Sequence, residues 1–215
     1  VMTSNKGLAG AYNANIIRRT LAMVDEYNEK GLAVKLFVVG QKGVGGLKRK
    51  ITNKNCEIVK TYLSVANNVT STGALLVAED LAEFFVDNKI DKIEVLTTRF
   101  KNMMSYSVQN WEILPLSPEI EEHDGKGGID PLMLFEPNVH GILQSLVPMF
   151  ITNIIYQALL EAQASELASR MTAMSAASNN AEEMIRLLSI DYNKARQWAI
   201  TQELVEIVSG ANALK

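Results

Sequence analysis

"SELASRMTAMSAASNNAEEMIRLLSIDYNKARQWAITQELVEIVS", residues 165–209, contains neither proline nor glycine and decides how this chain is built. Small or apolar residues recur at Met171, Met174, Ser178, Ala181, Ile185, Leu188, Tyr192, Ala195 and Ala199, in alternating steps of three and four. That is the seam of a heptad repeat. Alanine and serine crowd around it, so a partner helix could approach closely. The polar remainder, including Arg170, Glu182, Arg186 and Lys194, is expected on the solvated side.

Upstream of this stretch, as far as Asn138, only Gly141 and Pro148 interrupt the helical pattern. The whole predicts one helix of roughly 100 Å at about 1.5 Å per residue, far beyond the usual helix length. Such a helix cannot fold back on a small domain along its full course, and most of its stability must come from packing rather than propensity. It requires a partner, and no other stretch predicts a helix of comparable length.

The near end of this helix needs a membrane check. Between Pro137 and Leu160 there is no Asp, Glu, Lys or Arg, a stretch about long enough to span a bilayer. It nevertheless carries Gln144, Ser145, Pro148, Thr152, Asn153 and Gln157, which are costly in lipid. The expectation is an amphipathic helix lying against a sheet, with a kink at Pro148.

Before Pro137 the pattern alternates between strand and helix. "VMTS" reads as a strand end, and "ANIIRRTLAMVDEYNEKG" as a helix with Ile16, Ile17, Leu21 and Val24 on one side and Gly31 as its C-terminal cap. "AVKLFVVG" is a β-branched run of the kind buried on both faces of a parallel sheet. "STGALLVAEDLAEFFVDNKI" predicts a helix capped by Ser71 or Thr72. "KIEVLTTRF" predicts a strand, and "MMSYSVQNWEILPL" an antiparallel edge strand that tolerates Pro115. The acidic, glycine-rich residues 117–131 read as a surface loop. The fold class is therefore α/β: a Rossmann-like small-sheet domain over residues 1–136, followed by one very long C-terminal coiled-coil helix over residues 137–215.

Of the 215 residues, 47% are apolar and 21% charged, with a net charge of −3, so nothing draws the chain toward nucleic acid. A single cysteine, Cys56, excludes an internal disulfide and suits a reducing compartment. No stretch reads as a secretory or transit peptide.

Several motifs suggest chemistry and fail on spacing. In "GQKGVGGLKRK" a phosphate loop would need Lys and Ser or Thr after Gly45, where Gly46 and Leu47 stand. The dinucleotide fingerprint fails too, because Lys48 occupies the place of the third glycine after Gly43 and Gly45. Backbone turns are the expectation there. Lys48, Arg49, Lys50, Lys54 and Lys60 form a basic cluster without interleaved aromatics in its densest part, expected to be a solvated face. His123 and His140 lack acidic residues at ligand spacing, and Cys56 has no nearby histidine, so neither a metal site nor a cysteine nucleophile is expected.

"SELASRMTAMSAASNNAEEMI" and "YNKARQWAITQELVEIVSGANAL" resemble the C-terminal helix of the γ subunit of F-type ATP synthases. "TSNKGLAGAYNANI" resembles that family's strand–turn–helix, and "VVGQKGV" its next strand and turn. The resemblance implies a central-stalk rotor subunit without catalytic residues or cofactors of its own. In a proton- or sodium-translocating synthase it would transmit torque between the membrane rotor ring and the catalytic β subunits. The implied partners are the α and β subunits, the ε subunit and the c-ring, in a peripheral complex on the cytoplasmic face of a bacterial plasma membrane or the equivalent organelle face. The motif "RQWAIT" implies that Arg196, Gln197 and Thr201 touch β-subunit loops. Two departures are expected to matter. The family's long N-terminal helix has no counterpart here, and the "GLCG" turn has Ala9 in place of cysteine, without the chloroplast-type dithiol insertion. The other reading is a Rossmann-like binding module that pairs with a second copy through its exposed helix. A small-molecule enzyme would need a catalytic constellation that the residues do not present.

Overall fold

The β-branched run "VKLFVV" forms strand β1 (Val34–Val39), which pairs in parallel with β2 (Cys56–Tyr62), Val34 opposite Cys56 and Val39 opposite Tyr62. Strands β3 (Ile93–Asn102) and β4 (Ser105–Leu114) form an antiparallel pair, with β4 paired to β3 alone among the described residues. The computed structural model describes residues 1–52, 54–87, 89–115 and 139–213, with side chains omitted at Val139, His140, Leu143 and Ala213. The loop read over 117–131, His123 and the boundary at 136/137 lie outside the described residues.

Residues 1–3 join the two strand pairs. Met2 bridges Val39 in parallel, the Thr3 amide donates to Val39 O at 2.9 Å, and the Val39 amide donates to Val1 O at 2.9 Å. On the other side the Met2 amide donates to Leu96 O at 2.9 Å. The resulting order across the sheet is β2, β1, residues 1–3, β3, β4. The strand expected at "VMTS" is thus the link between the pairs.

Helices cover both faces. Along β1, Phe37 and Val39 enter one core with Ile93, Val95 and Ile113, while Leu36 and Val38 enter another with Leu47 and Ile51. This two-sided burial is the reason the run lacks polar alternation. Helix α1 (Tyr12–Glu29) buries Tyr12, Ile16, Thr20 and Val24, and it ends before Gly31, whose φ of 75° suits a residue without a Cβ. Short helix α3 (Leu63–Asn67) follows β2 and buries Val65. Helix α4 (Ser71–Val86) places Ala74, Val77 and Leu81 in the first core. Its N-cap is Thr70, whose hydroxyl accepts from the Gly73 amide at 3.1 Å. The cap is therefore one residue before the expected Ser71 or Thr72, because Thr70 still has extended backbone and Ser71 is already helical.

The larger correction concerns "GQKGVGGLKRK", which is not a set of turns. Residues Gln41–Lys48 form helix α2. Two of its three glycines, Gly43 and Gly46, are set by packing. A Cβ at Gly43 would lie 2.8 Å from Val38 Cγ1 and closer still to Thr3, and one at Gly46 would run into Ile17. Tertiary contact overrides low helix propensity here.

The final element, α5, runs from Val139 to Ala213 and remains helical through Pro148. From Gln144 to Asn212 it is long and apolar enough to cross a membrane by length and composition alone. Near its start, however, Ile151, Ile155, Ala158, Leu159 and Ala162 pack into the core beside α4, as an amphipathic helix against a sheet would. Each such isoleucine or leucine contributes about 1.5–3 kcal/mol of gross apolar burial. The chain divides into two compact units, Val1–Met171 and Thr172–Lys215, so the opening turns of α5 belong with the sheet.

Candidate functional site

Open α/β sheets take ligands beyond the carboxyl ends of their parallel strands, often at a helix N-terminus. In this chain that position is filled from within. Gly40, with φ of 94°, starts α2, and the amides of Gln41, Lys42 and Gly43 donate to Asn5 Oδ1 at 2.8 Å, Ser4 O at 3.0 Å and Thr3 Oγ1 at 3.0 Å. The Asn5 amide nitrogen reaches on to Leu63 O and Asn67 Oδ1, both at 2.7 Å. The N–H groups that would face a phosphate are thus spent on the chain's own oxygens. The glycine-rich stretch is a packing device.

The titratable groups form structural networks. Asp80 accepts from Tyr62 and pairs with Lys60, both at 2.6 Å. Burial alone would raise its carboxyl, but these two hydrogen bonds outweigh that and hold it below the usual value. Lys92 bridges Glu94 and Glu112, each at 2.7 Å, and Tyr27 donates to Glu94 at 2.6 Å. Burial, with that bond, pushes the Tyr27 phenol up to about 12. Burial likewise pushes the half-buried Cys56 thiol up to about 11, against nucleophilic use at neutral pH. Lys48, Arg49, Lys50 and Lys60 are exposed, Lys60 while paired with Asp80, and the half-buried Lys54 pairs with Asp25. Among the described residues, no three His, Cys, Asp or Glu side chains gather as metal ligands would.

The distinctive surface is that of α5 within the second unit. Along the expected seam, Met174, Ser178, Ala181, Ile185, Leu188, Tyr192, Ala195 and Ala199 are all exposed in the chain by itself, Ile185 at 64% and Leu188 at 61%. Met171, at the end of the first unit, is exposed too. Arg170 departs from the expected solvated row: it is part-buried, pairs with Glu166 and donates to Gly7 O at 3.4 Å. Of the residues picked from "RQWAIT", Arg196, Gln197 and Thr201 are exposed, and the Thr201 hydroxyl donates to Gln197 O at 2.8 Å. Gln197 and Thr201 share a face, with Arg196 about 100° round from Gln197.

A second apolar row escaped the heptad reading. Met184, Leu187, Trp198, Val205 and Val208 are exposed, Trp198 at 70%, about a third of the way round the helix from the seam. The clue lies past Ala199. The next seam positions are Gln202 and Glu206, whereas Ile200, Leu204 and Ile207 spread apolar surface onto other faces.

Residues 1–214 match the family model described as ATP synthase. The chain is 40% identical to the ATP synthase gamma chain of Synechococcus sp. (strain JA-3-3Ab), over all of its own length and 74% of that protein's. The chain belongs to the ATP synthase gamma-chain family. That alignment runs over 237 positions, 22 more than this chain has residues, so the cyanobacterial relative contains residues this gamma chain lacks. With the Halothermothrix orenii gamma chain, 37% identical across 100% of this chain and 72% of the relative, the alignment runs over 215 positions. Among solved structures, the central stalk/c-ring of Tetrahymena thermophila mitochondrial ATP synthase is similar at a TM-score of 0.60 and 26% identity, covering 82% of this chain and 74% of that one. As a gamma-chain family member, this is a central-stalk subunit of a membrane-associated ATP synthase. The self-associating module finds no support among these relatives.

Proposed function

We propose that this gamma chain is the torque-transmitting rotor shaft of its ATP synthase and performs no chemistry itself. The observation that carries the reading is the surface of α5 in the second unit, apolar along the seam and along the Trp198 row. A helix that is apolar on several faces belongs in surroundings that cover it. One row suits a coiled-coil partner helix. The other suits the inner wall of a ring of α and β subunits. The exposed polar groups between them, Arg196 and Gln197 included, suit contacts that are made and broken each part-turn, Arg196 by charge-assisted bonds to acidic β-subunit loops. Surface pairs of this kind are individually weak, as repeated release requires.

The sheet domain is the foot, seated on the c-ring with the ε subunit, on the cytoplasmic side of a bacterial membrane or the matching organelle face. Its filled helix N-terminus supports a structural rather than nucleotide-binding use of the Rossmann-like fold. Size-exclusion chromatography with light scattering, on the chain mixed with α and β subunits, tests this. The expected result is one chain per six-membered ring. Elution of the chain apart from an intact ring would overturn the reading.

A further inference from the structure

Helix α5 is fastened to the sheet by more than apolar contact. Ala158 and Ala162, one turn apart and buried, let its backbone come close enough for side chains of the sheet domain to reach its carbonyls. Thr97 Oγ1, on β3, donates to Ala158 O at 2.9 Å, and the Tyr12 hydroxyl, on α1, donates to Ala162 O at 3.0 Å. Between these levels the Glu161 carboxylate accepts from the Phe100 amide at 3.3 Å and pairs with Arg99 at 2.9 Å. One further contact, from Ser169 Oγ to Ala9 O at 2.7 Å, ties the helix to the turn before α1.

The Ala158 and Ala162 carbonyls lie inside a continuous helix, and each oxygen has a second lone pair for the side-chain donor. Thr97 and Tyr12 therefore add direction more than helix stability. Apolar burial is non-directional, and packed helices are known to rotate or ratchet past their neighbours. A hydrogen bond does not tolerate this. Turning a helix through one residue's angle moves atoms at the Cα radius by roughly 3.5 Å, which destroys a bond that is lost beyond about 3.5 Å between donor and acceptor.

We propose that Thr97, Tyr12 and Glu161 are positioning residues that fix the rotational setting of α5 in the sheet domain, so that torque passes between domain and helix without slip. The proposal rests on the central-stalk reading. Its test is the triple variant Thr97→Val, Tyr12→Phe and Glu161→Gln in the assembled ATP synthase, in sealed vesicles. Coupling ions pumped per ATP hydrolysed, protons or sodium, are measured against a rising opposing gradient. Hydrolysis without a gradient should remain at the wild-type rate, while pumping collapses several-fold earlier as the gradient grows. Ile155→Val, which thins the same interface without touching a key, should lower the melting temperature and leave coupling intact.

A second readout needs no activity. Spin labels at Gln109→Cys and Leu167→Cys, in a Cys56→Ala background, report the setting of α5 by pulsed dipolar spectroscopy. The triple variant should broaden the distance distribution and Ile155→Val should not. If the triple variant does not assemble, Thr97→Val alone carries both measurements. An unchanged distribution overturns the fixing of the helix, and a broadened one with wild-type coupling at every gradient overturns its role in torque. Failure of the wild-type chain to enter the complex would instead sink the central-stalk reading, with the spectroscopic result still deciding whether the keys hold α5.

Discussion

Thr3 and Gly43 are locked together: the Gly43 amide donates to Thr3 Oγ1 at 3.0 Å, and the space a Cβ would need at Gly43 is taken by the Thr3 side chain and by Val38 Cγ1. Gly43→Ala is therefore expected to destabilise the sheet domain by about 1–3 kcal/mol through overpacking, despite alanine's better helix propensity. Gly45, two residues along the same helix, has nothing within 4 Å of a Cβ. Gly45→Ala should stabilise by up to about 1 kcal/mol. Urea denaturation of both variants checks the opposite signs.

The Asp80 carboxyl gives the acid limb of the stability curve its direction. A carboxyl depressed in the folded state adds stability above its unfolded pKa of about 3.9. That stability is lost as the pH falls through the lower folded value. Asp80→Asn should therefore flatten the fall in urea midpoint between neutral pH and strong acid. Identical acid limbs in wild type and variant would remove Asp80 from the account.

Because Ile185 and Leu188 are exposed in the chain by itself, replacing both with Asp should leave the melting temperature of the isolated chain nearly unchanged. The same variant should fail to enter the α/β ring, read by light scattering. A large loss of intrinsic stability would mean that the seam is already occupied within the chain.

Cys56 should react slowly with a disulfide reagent at neutral pH. Its rate should climb with pH until about 11, because burial has raised the thiol that far. Fast labelling at neutral pH, or a plateau near the ordinary thiol range, would contradict the half-buried placement.

The elements most legible in the sequence were those whose environment is uniform along their length. "VKLFVV" is buried on both sides and reads as an unbroken apolar run, and the seam from Met171 to Ala199 keeps its period over four heptads. Strand β2 is not legible in the sequence, because Glu57, Lys60 and Thr61 face outward and dilute its apolar signal. Helix α2 is illegible in the sequence, since Gly43 and Gly46 answer to Thr3, Val38 and Ile17 rather than to local propensity. The Trp198 row lies off the three-four spacing of the seam, so a heptad period does not reveal it. The bond from Thr97 to Ala158 joins residues 61 apart and leaves no local periodicity to read.

The insertion of Ile151, Ile155, Ala158 and Leu159 into the first core has a consequence for biosynthesis. Domains fold as units while the chain is made, from the N-terminus onward. This sheet domain cannot close when its own strands are finished at Leu114, because the helix that completes its hydrophobic wall has yet to be translated. A nascent chain halted after β4 would leave the place of Ile155 open to solvent until the ribosome has supplied the missing wall.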